Sequence, residues 1–444
     1  MKVSRRMPTR VSNQELRRLL AKHVKDLTID EKKIGKHALR PENTVNVFSD
    51  RGPQESKLQF TPTRPVVGAV AHHLDVGAFG AALHDKLKDN VAGYTVQLRQ
   101  HGLAVFTADW QWAKRPQDGT ESWTPDVQLH VASVSKLITA IAMTLLMSEK
   151  NISPDAQIID YLPDYWVKGP NIQYIVFRNL MNHTSGLTGP NDLQDFQEMK
   201  AAIAAGISLD PNKGDHLGNY HYQNMNFGLC RILLTVMNGN ISKGANFTPL
   251  FNDTIWDMVT IAGYAQYTTN NVFRPAGVFG ATLDHPDSAA LAYRFPVDST
   301  SWNSGTLESM SAFAGWHLSV DQVLDVMGAF RRGRSILTPE AAQQMLDNGF
   351  GVDPFVIPPP DVPIPPGLVT PAGELYCKNG RWHDDPPSPQ TSYHEEQSLA
   401  YFLPQDMELV VLVNSPVGSP EEFFRDVVTQ VYLNNLTTRL TIHP

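Results

Sequence analysis

The sequence predicts an α/β (α+β) protein. One antiparallel sheet of about five strands is built from both chain ends and flanked by N- and C-terminal helices, with a large helical subdomain inserted between its halves. Three observations lead there. Strand-like runs occur early, at 94–99 and 103–110, and again late, at 374–382, 398–403 and 408–413. The long stretch between them has apolar helical spacing, most strongly at 133–147. A last amphipathic segment, 421–433, puts Phe423, Phe424, Val427, Val428 and Val431 on one face, as a helix packed on a sheet requires.

In order along the chain, residues 1–70 form an extension. Within it 14–27 has helical spacing (Leu16, Leu19, Leu20, Val24), and 40–66 is polar, Pro-containing and irregular. Residues 71–440 then form one domain, with its sheet in 71–130 and 372–440 and its helical subdomain in 131–350. Residues 79–88 read as a helix, and Gln100-His101-Gly102 as the tight turn of the first hairpin. The remaining piece, 351–371, reads as a stiff surface connection, because 354–371 holds eight prolines and includes Pro358-Pro359-Pro360.

Composition narrows the function class. With 37 basic and 45 acidic side chains the net charge is −8, which argues against nucleic-acid binding. The longest apolar run, 137–147, is shorter than a membrane span. Met1–Arg10 is basic but no apolar region follows, so the expectation is a cytoplasmic protein, with a trimmed secreted form as the alternative. The two cysteines, Cys230 and Cys377, read as reduced core thiols rather than a disulfide. No cofactor is called for. His394-Glu395-Glu396 lacks the second histidine of a zinc-protease helix, since Ser398 stands in its place, and no metal site is expected.

The chemistry centres on Ser133-Val134-Ser135-Lys136, where the extended segment 127–131 gives way to a helix. A three-residue spacing puts Ser133 and Lys136 on one helical face, so an amine can reach the hydroxyl, while Ser135 points elsewhere. The residues that follow are apolar almost all round, which marks a buried helix whose N-terminus favours negative charge. A serine there, with an amine one turn along, is an activated hydroxyl built without histidine. Tyr222-Gln223-Asn224 precedes a second apolar helix, 229–237, and Lys378-Asn379-Gly380 lies within a strand. Alternation puts Lys378 and Gly380 on one face and Cys377 on the other. Glycine at 380 would let a substrate backbone lie close to that strand. Short motifs of this kind also recur by chance, as at Tyr432-Leu433-Asn434 and Lys33-Ile34-Gly35, so order and context carry the weight.

In that order the trio resembles the serine β-lactamase and penicillin-binding protein family, and especially its class C β-lactamase branch of β-lactamases, esterases and D-aminopeptidases. Residues 180–187 (Leu-Met-Asn-His-Thr-Ser-Gly-Leu), 271–278 and 311–323 resemble further family phrases, over roughly 75–440. The resemblance implies a β-lactamase/transpeptidase-like fold and ping-pong acyl transfer. Ser133 attacks a carbonyl, Lys136 and Tyr222 accept and return the proton, and the backbone N–H groups of Ser133 and Arg381 form the oxyanion hole. Asn224, Lys378, Asn379 and Gly380 bind substrate, and Lys378 surrounds Lys136 and Tyr222 with positive charge, lowering the pKa of both. His183 reads as structural, because this arrangement needs no imidazole.

Asn379 departs from the family pattern, where a hydroxyl residue helps hold a substrate carboxylate. The expected function is therefore a serine hydrolase of an ester or amide. A β-lactamase or D-alanyl/D-amino peptidase is the alternative, and a non-turnover acyl-trapping sensor or scaffold a third reading. The expected partner is a small-molecule ester, amide or lactam, and a homo-oligomer is possible. The helical insertion, the Pro-rich connection and the strand end at Trp110 and Trp112 are expected to set substrate choice.

Overall fold

A computed structural model describes residues 18, 20–27, 72–189, 195–249, 251–298, 300–333, 335–355, 365–384, 393–417 and 424–438. Its main sheet has seven strands: β1 (Gly93–Gln100), β2 (Leu103–Lys114), β3 (Glu121–Ser122), β4 (Leu368–Thr370), β5 (Gly373–His383), β6 (Glu395–Leu403) and β7 (Met407–Val413). The order across the sheet is β3-β2-β1-β7-β6-β5-β4, and every pairing is antiparallel. The late strands thus lie beside the early hairpin, as the two-ended sequence pattern requires. The two strands beyond the expected five are the short edges β3 and β4, of two and three residues, too brief to leave a period-2 signature.

Helices α1 (Val76–Leu87) and α9 (Phe424–Asn434) come from the two ends of the 71–440 region. Between them run α2 (Ser135–Lys150), α3 (Phe177–Met181), α4 (Phe196–Ala205), α5 (Asn224–Met237), α6 (Asn252–Thr268), α7 (Val320–Arg331) and α8 (Pro339–Asp347). Local chemistry fixes their starts. Asp75 accepts from the Ala78 N–H at 3.0 Å to open α1, and Ser319 with Gln322 forms a reciprocal capping box on α7. The β1–β2 turn places His101 at φ 51° and Gly102 at φ 80°, the paired left-handed residues that a two-residue hairpin needs.

Strand alternation divides the interior into two cores. Leu409, Val411 and Val413 of β7 join Phe79, Leu83, Phe424 and Val428 on the face covered by α1 and α9. Val410 and Leu412 join the helical subdomain on the other face. With both faces covered, β6 and β7 are buried along their whole length; β7 is apolar apart from Glu408, while β6 opens with the buried polar residues Glu395 to Ser398.

Several expectations change. In the N-terminal extension, residue 18 and residues 20–23 are helical, Leu20 packs into the larger core, and Val24 bridges to Ile241, so this piece rests on the helical subdomain. The irregular segment 40–66 lies outside the described residues. So does 356–364, the centre of the Pro-rich connection. Its first residues, 351–355, are buried rather than on the surface. Among the described residues one helical stretch, Ala132–Lys150, is long and apolar enough to cross a membrane. Its most apolar window is 78% buried inside the protein, as befits a core helix. Cys230 and Cys377 are free and buried.

Candidate active site

Ser133 sits in a 3-10 turn, Ala132–Val134, between the short strand Leu129–His130 and α2. The α-helix proper begins at Ser135, two residues later than the apolar pattern suggests. Ala132 holds φ 45°, a left-handed conformation that costs an alanine on the order of 1 kcal/mol and persists only where neighbours enforce it. Three contacts do so. Leu129–His130 pairs with His317–Leu318, the Val131 N–H donates to the Trp316 carbonyl at 2.9 Å, and Ser398 Oγ of β6 donates to the Val131 carbonyl at 2.6 Å.

The two groups expected to serve Ser133 meet at its hydroxyl. Lys136 Nζ donates to Ser133 Oγ at 2.8 Å, and the Tyr222 hydroxyl donates to the same oxygen at 2.9 Å. Ser133 is 4% exposed and Lys136 fully buried, so bulk water does not screen these bonds. Lys136 Nζ also donates to the Phe313 carbonyl at 3.0 Å and lies 4.8 Å from the Tyr222 ring centre. An amine and a phenol converging on one hydroxyl form a short path along which a proton can leave the oxygen and return. Ser135 does point elsewhere, its Oγ accepting from the Trp316 N–H at 3.2 Å.

Tyr222 is held from behind by His183, whose ring stacks on it with centres 4.3 Å apart and planes 28° apart. His183 Nδ1 accepts from the Gln223 N–H at 3.2 Å, which requires the unprotonated nitrogen. Burial, and then Lys378 and Lys136, push its pKa well below the usual range, so the imidazole is neutral. That geometry matches the structural reading of His183. Asn224 opens α5; it is 4% exposed, and its Oδ1 has no hydrogen-bond partner within the protein.

The β5 motif lies against the same turn. A Cβ at Gly380 would collide with the Val131 carbonyl and stand 3.0 Å from the Ser133 nitrogen. Glycine there is thus demanded by the chain's own Ser133 turn, where the sequence suggested room for a substrate backbone. The Asn379 N–H points away from β6 and donates to Asp353 Oδ2 at 2.8 Å. The Arg381 N–H, two residues on in the same continuous register, points to that same side. The Arg381 side chain turns instead to Glu395 and to the Tyr393 hydroxyl.

Lys378 departs most from expectation. Its Nζ lies 5.0 Å from the Tyr222 ring centre, but it is ion-paired with Asp353, and both side chains are buried. The expected surround of positive charge is therefore offset by a carboxylate in direct contact. Asp353 was missed because it reads as the start of a Pro-rich surface loop. Phe313 and Ser398 were missed because one acts through a backbone carbonyl and the other through a single hydroxyl, neither of which leaves a spacing signal. Trp110 and Trp112 do not border the site. They lie on β2, four strands from β5, or about 19 Å at ~4.8 Å per strand. Tryptophans do stand near the Ser133 turn: Trp316, whose backbone bonds Val131 and Ser135, and Trp382, edge-on to His130 at 5.5 Å. Among the described residues no group of three or more His, Cys, Asp or Glu side chains is arranged to hold a metal.

Comparisons with known proteins agree with this architecture. The model of the family described as Beta-lactamase matches residues 77–384. A Bacillus subtilis (strain 168) protein that carries the name of a penicillin-binding protein, PbpX, is 24% identical over 189 residues. That match takes in 40% of this chain and only 39% of the length of the relative. Among solved structures, a class C beta lactamase from Rhodobacter sphaeroides superposes with a TM-score of 0.56 at 19% identity, over 81% of this chain and 99% of that one. A D-stereospecific amidohydrolase from Streptomyces sp. gives 0.54 at 19% identity, over 81% and 99%.

Proposed function

Because the chain belongs to the beta-lactamase family, whose members support a serine-hydrolase type of activity, we propose that it hydrolyses an ester or amide of a small molecule through an acyl-enzyme on Ser133. The observation that carries this reading is the Ser133 hydroxyl bracketed by Lys136 Nζ at 2.8 Å and the Tyr222 hydroxyl at 2.9 Å. In the proposed sequence Ser133 Oγ attacks the substrate carbonyl carbon, and its proton passes to the Lys136–Tyr222 pair. The carbonyl oxygen takes the negative charge between the N–H groups of Ser133 and Arg381. As the tetrahedral intermediate collapses, the bond to the leaving alcohol or amine breaks, and the pair returns the proton to it. Water then attacks the acyl-enzyme by the same path in reverse, giving the acid and free Ser133. The unpartnered Asn224 Oδ1 would accept an N–H of a bound amide.

The test is hydrolysis of a panel of chromogenic short-chain esters and anilides by wild type and Ser133→Ala in parallel, with intact-protein mass spectrometry to detect the acyl adduct. Loss of the nucleophile is expected to lower kcat/KM by at least ~10³-fold and to abolish the adduct. Equal turnover by the two proteins would refute the reading.

A further inference from the structure

We propose that Asp353 makes this a site for neutral acyl substrates, by taking from within the protein the place that a substrate carboxylate would occupy; the proposal rests on the acyl-transfer reading of Ser133. Lys378 is the cation that β5 brings to the site, with its Nζ over the Tyr222 ring. Such a buried ammonium, next to the outward N–H of Asn379, is a ready seat for an anion. The seat is filled. One oxygen of Asp353 pairs with Lys378 Nζ, and the other accepts the Asn379 N–H at 2.8 Å. Lys378 is 2% exposed and Asp353 5%, so neither partner faces water.

Asp353 is not free to swing away. Its own N–H donates to the Cys377 carbonyl of β5 at 2.8 Å. Two residues earlier, Gly351 packs so tightly on α2 that a Cβ there would lie 2.9 Å from the Lys136 carbonyl. The carboxylate is therefore locked between the nucleophile helix and the substrate strand. A further buried cation on this side, Arg425, has a carboxylate of its own, Asp426, at 3.5 Å. Its Nη1 donates to the Pro354 carbonyl at 3.1 Å. Lys378 is thus offset by Asp353 and Arg425 by Asp426, and the remaining lysine of the site, Lys136, is committed to Ser133 Oγ and the Phe313 carbonyl. An incoming carboxylate would meet Asp353 as a like charge and find both donors taken, whereas a neutral acyl group meets no such penalty.

Arylboronic acids test this without requiring turnover, because they form a reversible bond to a nucleophilic serine. Dissociation constants of phenylboronic acid and 3-carboxyphenylboronic acid are measured by tryptophan fluorescence for wild type, Asp353→Asn and, as control, Ser133→Ala. Wild type is expected to bind the neutral probe at least tenfold more tightly. Asp353→Asn, which keeps an oxygen for the Asn379 N–H but uncovers the Lys378 charge, is expected to shift that ratio at least tenfold toward the carboxylated probe. Equal binding of the two by wild type overturns the proposal, and this comparison stands even if the variant does not fold. An unchanged ratio in a folded Asp353→Asn overturns it as well. If neither probe gives a Ser133-dependent adduct, the acyl-transfer reading itself fails and this proposal falls with it.

Discussion

At Gly351 two constraints coincide on one residue. Its φ of 72° is left-handed, and a Cβ there would stand 2.7 Å from the Ala140 Cβ and 2.9 Å from the Lys136 carbonyl. Alanine would meet both the conformational cost and the clash, so Gly351→Ala is expected to lose about 2–5 kcal/mol, read as a fall in the urea midpoint at unchanged slope. Tyr222 poses the complementary case, a residue whose loss should spare the fold. Tyr222→Phe keeps the ring stacked on His183 and removes only the hydroxyl on Ser133. It is expected to lower kcat by ~10²–10⁴-fold while the unfolding midpoint moves little. A fall in kcat no larger than a few-fold would exclude the phenol from the proton path.

At the scale of elements, the site depends on how a short turn is clamped between a strand pair, a sheet strand and a helix. Ser398 on β6 illustrates the clamp. Its hydroxyl holds the Val131 carbonyl, which also accepts the Val134 N–H at 3.0 Å. Ser398→Ala therefore leaves that carbonyl one partner and is expected to cost only about 1 kcal/mol of stability. Because the lost bond steadies the turn that presents Ser133, acylation is expected to slow several-fold, measured as the single-turnover rate with a chromogenic ester. These elements were legible in the sequence to different degrees. The helix α2, the hairpin of β1 and β2, and strands β5 to β7 announce themselves by apolar period. Ser133, Lys136, Tyr222 and Lys378 announce themselves by order along the chain. The edge strands β3 and β4 are too short for periodicity, and Asp353 stood hidden among prolines. What a lysine contributes depends on the charge next to it in space, and residues 25 apart in sequence give no sign of that.

The molecule buries the centre of its sheet on both faces, and that burial extends to imidazoles. His183 is held well below its usual pKa by burial and by the nearby lysines Lys378 and Lys136. Burial, with His130 and His285 as neighbours, lowers His317 to about 2, and neither of its ring nitrogens has a hydrogen-bond partner within the protein. His285 is shifted the same way, more weakly in its half-exposed position. In the unfolded chain each would titrate near 6.5, so below that pH the unfolded state binds protons that the folded state refuses. Stability from these groups is complete above about pH 6.5 and is lost as pH falls, by about 1.4 kcal/mol per pH unit for each of His183 and His317. Buried Glu395 works in the opposite sense, since burial raises its pKa and the folded state takes up a proton first as the solution is acidified. Asp109 is raised by burial in the same way, and these two carboxyls, which start from a lower ordinary range, set against two fully committed imidazoles leave a net loss on the acid side. Urea midpoints at pH 7.5, 6.5 and 5.5 are expected to hold between the first two and drop sharply at the third. His317→Gln, which cannot take up a proton in either state, is expected to flatten the acid limb by up to one proton's slope. A midpoint independent of pH across this range would show that these imidazoles are not kept neutral by the fold.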